Sequence, residues 1–210
     1  MFLKKVLNKK TLVILGLNSG TSADGLDMAA VRISRTNRGA AVKYLAGCAK
    51  PYPAELRELV LKVVDSSTID LNIVIHLDSL LGQFFSRAAS AYVRKLTKNN
   101  IRVDVVASHG QTIRHLPHKV QIGRFSVAGT LQLGAPERIA AATGKMIVAD
   151  FRQADIAVGN EGAPVTAGAM RRLFAKSTES RLIVNIGGIA NYFYFPKEKS
   201  RLKASAADCG

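Results

Sequence analysis

A chain of 210 residues that is 48% hydrophobic, 21% charged and 6% aromatic has apolar material for one or two cores and is neither disordered nor fibrous. Thirty Lys and Arg against fifteen Asp and Glu leave a formal charge of +15, a field that draws phosphates, anionic membranes or nucleic acid without choosing among them. The basic residues are spread along the chain, the densest group being Lys4, Lys5, Lys9 and Lys10, and no aromatics interleave them, so no nucleic-acid partner is expected.

Residues 12–17 are apolar and run into Asn-Ser-Gly-Thr-Ser, the pattern of a buried strand that ends in a turn. Residues 28–33 and 41–45 are β-compatible and flank the turn-rich 36–39, which predicts an opening meander of three antiparallel strands. After Pro53, Leu56, Leu59, Val60, Val63 and Val64 recur at helical spacing. From 73 to 98, Ile73, Leu77, Leu80, Leu81, Phe84, Phe85, Ala88, Tyr92 and Leu96 keep one helix face apolar, a core stripe. Residues 103–107 and 146–149 are further buried strands, with a helix at 136–143 between them ended by Gly144. A helix at 165–174, a strand at 182–186, Gly187-Gly188 and a strand at 192–195 close the series, the last two strands as a hairpin. The alternation predicts an α/β protein.

Cys48 and Cys209 lie far apart with no ligand spacing around them, which supports neither a disulfide framework nor a zinc site. No apolar run reaches the ~18 residues of a membrane span, and the N-terminal lysines flank no signal-peptide core. A soluble, cytoplasmic protein without a membrane partner is expected.

Four stretches carry chemistry. Residues 19–27, Ser-Gly-Thr-Ser-Ala-Asp-Gly-Leu-Asp, form a glycine-bearing turn with two carboxylates, suited to phosphate oxygens and to a metal ion held through water, or else an ordinary hairpin turn. It lacks the Lys-Ser/Thr ending of a Walker loop. Residues 108–115, Ser-His-Gly-Gln-Thr-Ile-Arg-His, follow the strand 103–107 as a loop whose donors and acceptors suit a hydroxyl-rich ligand. In 149–164, Asp150 stands at a strand end, where it can accept a hydroxyl proton, and Arg152 can pair with a ligand carboxylate or with Asp155. Residues 184–191 place paired glycines and their amides in a tight turn. Asp208, near the last residue, has no claim on function by composition.

Taken together, the chain carries GTSxDGxD at 20–27, SHGQTIRH at 108–115, LQxG at 131–134, ADFRxxDxAxGxxGAP at 149–164, NIGGxxN at 185–191 and DCG at 208–210. On these motifs, in this order, it resembles the anhydro-N-acetylmuramic acid kinase family. The resemblance implies an α/β fold: a ribonuclease-H-like lobe of the sugar kinase, actin and heat-shock ATPase superfamily, a mixed sheet flanked by helices. Residues 1–176 would form that N-terminal lobe and 177–210 the first hairpin of a second lobe only begun. It also implies an ATP- and Mg2+-dependent kinase that opens the 1,6-anhydro ring of anhydro-N-acetylmuramic acid with water and phosphorylates O6.

By the same matching, Asp208 would be the base that activates the water. Gly20, Thr21, Ser22, Ala23, Asp24, Gly25, Leu26 and Asp27, with Asn185, Gly187 and Gly188, would bind ATP and its phosphates, Asp24 reaching the metal through water. His109, Gln111, Thr112, Asp150 and Arg152 would line the sugar. Asn18, Glu161 and Ala206-Ala207 depart from the family pattern. A chain without a full second lobe is expected to turn over weakly or not at all, to pair as a homodimer, or to act as a silent sugar- or anion-binding lobe.

Overall fold

Strand β1 (Thr11–Ser19) alternates as a half-buried strand should, with Val13, Leu15 and Leu17 facing the core. The computed structural model describes residues 6, 8–37, 39–186 and 190–208, Asp208 by its backbone alone. β2 (Gly25–Thr36) returns antiparallel, with Leu15 opposite Ala30, and turns Leu26, Met28 and Ala30 to the same core. β3 (Gly39–Pro51) pairs antiparallel with β2 and completes the predicted meander.

Two helices then cross over the sheet. α1 (Ala54–Asp65) buries Val60 and Val63. α2 (Leu71–Lys98) starts where the Asp70 carboxylate accepts from the Asn72 N–H at 2.8 Å, and its stripe of Leu77, Leu81, Phe85, Ala89, Tyr92 and Leu96 packs on the strands. The crossover lets β4 (Val105–Ile122) run parallel to β1, Ile14 beside Val105. β5 (Phe125–Leu133) lies next to β4. α3 (Pro136–Thr143) begins with proline and ends at left-handed Gly144, φ 63°. β6 (Met146–Val148) pairs parallel with β4, Val106 beside Ile147.

The sheet order is β3-β2-β1-β4-β5, with β6 also on β4. Its first three strands are antiparallel, and β4 and β6 are parallel to β1 and β4, which is the mixed, helix-flanked sheet that the motifs imply. Residues 116–131 depart from the sequence reading, which assigned them no element. The stretch 108–115, expected as a loop, lies inside β4, because its backbone continues to pair beside β1, Ser19 opposite Gln111.

The chain divides into two compact units, one of residues 1–115 and 131–150, the other of 116–130 and 151–210. They part after Asp150, where the sequence reading sets a boundary at 176. In the second unit α4 (Phe151–Ala157) and α5 (Ala167–Phe174) precede a three-stranded antiparallel sheet of β7 (Arg181–Asn185), β8 (Asn191–Phe195) and β9 (Ser205–Asp208) in that order. Phe193 and Phe195 are its buried aromatics. The β7–β8 hairpin is the one predicted, whereas α4 and β9 were not. Among the described residues no helix is long and apolar enough to cross a membrane.

Candidate functional site

Residues 20–24 reverse the chain between β1 and β2 on a turn closed by the Ala23 N–H to the Gly20 carbonyl, 3.2 Å, with Ala23 at φ 48°. Gly25 admits no side chain, since a Cβ there would lie 2.4 Å from the Lys50 carbonyl oxygen of β3. Ala23 and Leu26 are buried and act as pegs, while Thr21, Ser22, Asp24 and Asp27 stay exposed. The Ser22 hydroxyl donates to Asp24 Oδ1 at 2.9 Å. The turn thus presents two hydroxyls and two carboxylates outward from an anchored backbone.

What anchors it is a buried polar cluster. Ser19, 1% exposed, sets its Oγ 2.6 Å from Gln111 Oε1, 2.8 Å from the Tyr52 hydroxyl and 2.9 Å from the Gly25 carbonyl. Gln111, also 1% exposed, donates from Nε2 to the carbonyls of Gly20 at 3.2 Å and Thr112 at 3.3 Å. Tyr52 donates its backbone N–H to the Asp24 carbonyl. Burial pushes the Tyr52 phenol up to about 12, helped by the nearby Asp24 charge and opposed by the Ser19 hydrogen bond. The β1–β4 pairing slips between Leu17 and Ser19, so Leu17 faces Ser108 while Ser19 faces Gln111. Gly110, φ 74°, takes up that slip, and a Cβ on it would stand 2.7 Å from the Leu133 carbonyl. Gln111, a sugar-side residue by resemblance, therefore spends its side chain inside the protein, as a strut between β4 and the turn.

Where β6 ends beside the early part of β4, a small cleft is lined by Ser108, His109, Gly110, Gln132, Leu133, Gly134, Pro136, Ala149 and Asp150. It brings His109 and Asp150 together. His109 Nδ1 lies 3.0 Å from the Gly110 carbonyl, and since a carbonyl only accepts, Nδ1 carries the proton of that bond. Asp150 is exposed with φ 59°, a left-handed backbone that turns the chain out of β6. The neighbouring Gln132 donates to the Thr112 hydroxyl at 3.4 Å. One wall is fixed by Asp78 of α2, whose Oδ1 accepts from the N–H groups of Gly134 and Ala135 at 2.8 and 3.1 Å. Gly134 is required there, because a Cβ would meet the Phe85 ring at 2.6 Å.

In the second unit, Arg152 donates to the Gly162 carbonyl at 2.9 Å, and the Asp155 carboxylate accepts from Gly162 N–H at 2.9 Å and Asn160 Nδ2 at 3.0 Å. Across its sheet Asn185, Asn191 and Asp208 stand in one row, Asn185 opposite Asn191 and Asn191 opposite Asp208. Gly187 and Gly188 lie outside the described residues, as do Cys209 and Gly210 of the last motif.

Among the described residues no three His, Cys, Asp or Glu side chains gather as a metal cluster. The exposed carboxylate of Asp24 suits an ion held through water and not one caged by protein. Sequence reasoning did not single out Tyr52, Asp78 or Asn191. A signal existed for Asp78, a charge interrupting the apolar stripe of α2, and for Asn191, which closes the NIGGxxN stretch; Tyr52, between two prolines, gave none.

Comparison with known proteins places these motifs in company. A family model described as anhydro-N-acetylmuramic acid kinase matches residues 12–210. A relative of that name from Caldanaerobacter subterraneus subsp. tengcongensis is 35% identical over 208 residues, 99% of this chain and 52% of the relative. Another, from Trichormus variabilis, is 41% identical over 184 residues, 87% and 46% of the two chains. A third, from Shewanella baltica strain OS185, is 38% identical, covering 89% and 48%. The chain spans about half the length of the curated relatives it matches. Among solved structures a ROK family transcriptional regulator aligns with TM-score 0.34 and 13% identity over 90% of this chain and 36% of that one, too slight a likeness to bear on fold or function.

Proposed function

Because the chain belongs to the anhydro-N-acetylmuramic acid kinase family, we propose that it acts in the ATP-dependent conversion of 1,6-anhydro-N-acetylmuramic acid to N-acetylmuramic acid 6-phosphate. Water adds to C1, the C1–O6 bond of the anhydro bridge breaks, and O6 takes the γ-phosphoryl group as ADP leaves. The water's proton passes to the Asp208 carboxylate and then to solvent. Phosphoryl transfer asks mainly for positioned phosphates and an aligned acceptor, so most residues of such a site hold and orient.

The turn at 20–27 is the phosphate side of this reading. Its outward hydroxyls of Thr21 and Ser22 suit phosphate oxygens, and its backbone is held still by Ser19 and Gln111. Bound magnesium neutralises phosphate charge, and Asp24 would hold its water shell. His109, Thr112, Asp150 and Arg152 are the sugar side, and Asn185, Gly187 and Gly188 the nucleotide side. Gln111 positions the turn.

The observation that carries the reading is the Ser19–Gln111 bond of 2.6 Å. It ties the first motif to the second across two parallel strands, so that the phosphate turn leaves the carboxyl end of β1 beside the stretch of β4 that lines the polar cleft, itself at the carboxyl end of β6, and strand ends of this kind are where α/β proteins bind ligands.

Calorimetric titration tests it. The chain is expected to bind the anhydro sugar and, separately, magnesium-ATP. Asp150→Asn should weaken the sugar tenfold or more and leave the nucleotide within twofold, with Thr21→Val doing the reverse. Absence of binding to both ligands, or equal losses in both variants, would contradict the reading.

A further inference from the structure

The kinase reading leaves a second depression in the first unit unused. A groove of about 410 Å³ opens between α2 and the strands β2 and β3. Its size falls among small-molecule sites, which run from roughly 300 to 1,000 Å³. Ala88 and Ala91 of α2 border it opposite Cys48, Ala49 and Lys50 of β3, and their short side chains leave room between the two elements.

The lining divides by chemistry. Met28, Phe84 and Tyr92 make an apolar and aromatic floor, Met28 and Tyr92 being buried. Lys50, Arg87 and Lys95, all exposed, stand around it, and among the described residues no acidic one lines the groove. None of the three cations is ion-paired within 4.0 Å among the described residues. Cys48, half-buried, forms part of the wall beside Tyr92.

Three cations that pair with no described carboxylate, set around an apolar floor, are complementary to a molecule with an anionic head and an apolar body. We propose that this groove binds a soluble anionic amphiphile, its carboxylate or equivalent head held by Lys50, Arg87 and Lys95 and its body laid on Phe84 and Tyr92. The head gains charge-assisted hydrogen bonds, and the body covers apolar surface that otherwise meets water. A recessed floor ringed by charges fits a single molecule, where a membrane would call for a broad basic face.

Cys48 reports occupancy from inside the groove. The full chain is treated with N-ethylmaleimide, and the alkylation rate at Cys48 is read by peptide mass spectrometry, with sodium octanoate, sodium acetate or octan-1-ol as probes. Octanoate should slow Cys48 alkylation at least fivefold and saturably, while acetate and octan-1-ol at equal concentration change it less than twofold. Arg87→Glu combined with Lys95→Glu should abolish protection. So should Ala91→Trp, which fills the groove with the charges intact; both alter exposed positions and leave the core untouched. A rate indifferent to octanoate, equal protection by octan-1-ol or by acetate, or undiminished protection in the folded charge-reversed variant would overturn the proposal. Protection by phosphatidylglycerol vesicles but not by octanoate would overturn it too, in favour of a membrane surface. None of these outcomes bears on the kinase reading.

Discussion

Ser19 has one proton to give and three oxygens within 2.9 Å of its own. In a buried site each of those groups loses water on folding and depends on the cluster for a replacement. Ser19→Ala and Gln111→Leu should therefore each cost about 1–3 kcal/mol in urea unfolding, and the two losses should be strongly non-additive, because each strands the same partners. Additive losses would show that the residues act separately. Tyr52 gives the cluster a pH signature. Its folded value of about 12 lies above the ordinary 10, so the stability it contributes is fully present below pH 10 and is lost as pH rises through 10 to about 12. Two pKa units correspond to about 2–3 kcal/mol. Burial likewise raises Tyr92, so Tyr52→Phe should flatten the alkaline fall in stability only in part, as read from denaturation midpoints between pH 9 and 12.

At the scale of elements, α3 is held at its start by a residue 57 positions earlier, since Asp78 accepts from the Gly134 and Ala135 amides. Asp78→Ala should cost about 1–3 kcal/mol, because it leaves two amides without their acceptor, and should speed hydrogen exchange at those two amides before it does so in α2. Exchange unchanged at Gly134 and Ala135 would mean that Asp78 does not hold this segment. The same pair shows what sequence periodicity does and does not carry. The stripe from Leu77 to Leu96 is legible because burial on one side of a helix repeats every 3.6 residues. The β4–β5 hairpin is not. Its residues 116–131 expose Leu116, Val120, Ile122, Phe125 and Leu131 among polar neighbours, without the one-sided burial that marks a strand. The stretch 108–115 misleads for the opposite reason. Ser, His, Gln and Thr look like a loop, yet Ser108 and Gln111 are buried and bonded within the sheet. Gln111 illustrates the limit for the site as well: the resemblance implies a sugar-side residue, and only the fold shows that its amide faces the turn. β9 was illegible because four residues, two of them alanine, carry no alternation, although its pairing is what sets Asp208 in a row with Asn191 and Asn185.

At the scale of the whole molecule the motifs are shared out. The turn at 20–27, His109 and Asp150 belong to the first unit, and Arg152, Asn185 and Asp208 to the second. As proposed, the sugar and nucleotide sets each include residues of both units, and formation of product adds Asp208 of the second. The most direct measurement is a mass-spectrometric assay for N-acetylmuramic acid 6-phosphate made by the purified chain from the anhydro sugar and magnesium-ATP, run beside Asp208→Asn. The account predicts a product peak whose rate of formation falls by about a hundredfold or more in the variant, the share a general base contributes, with binding of both ligands retained. Product formed equally fast by Asp208→Asn would contradict it.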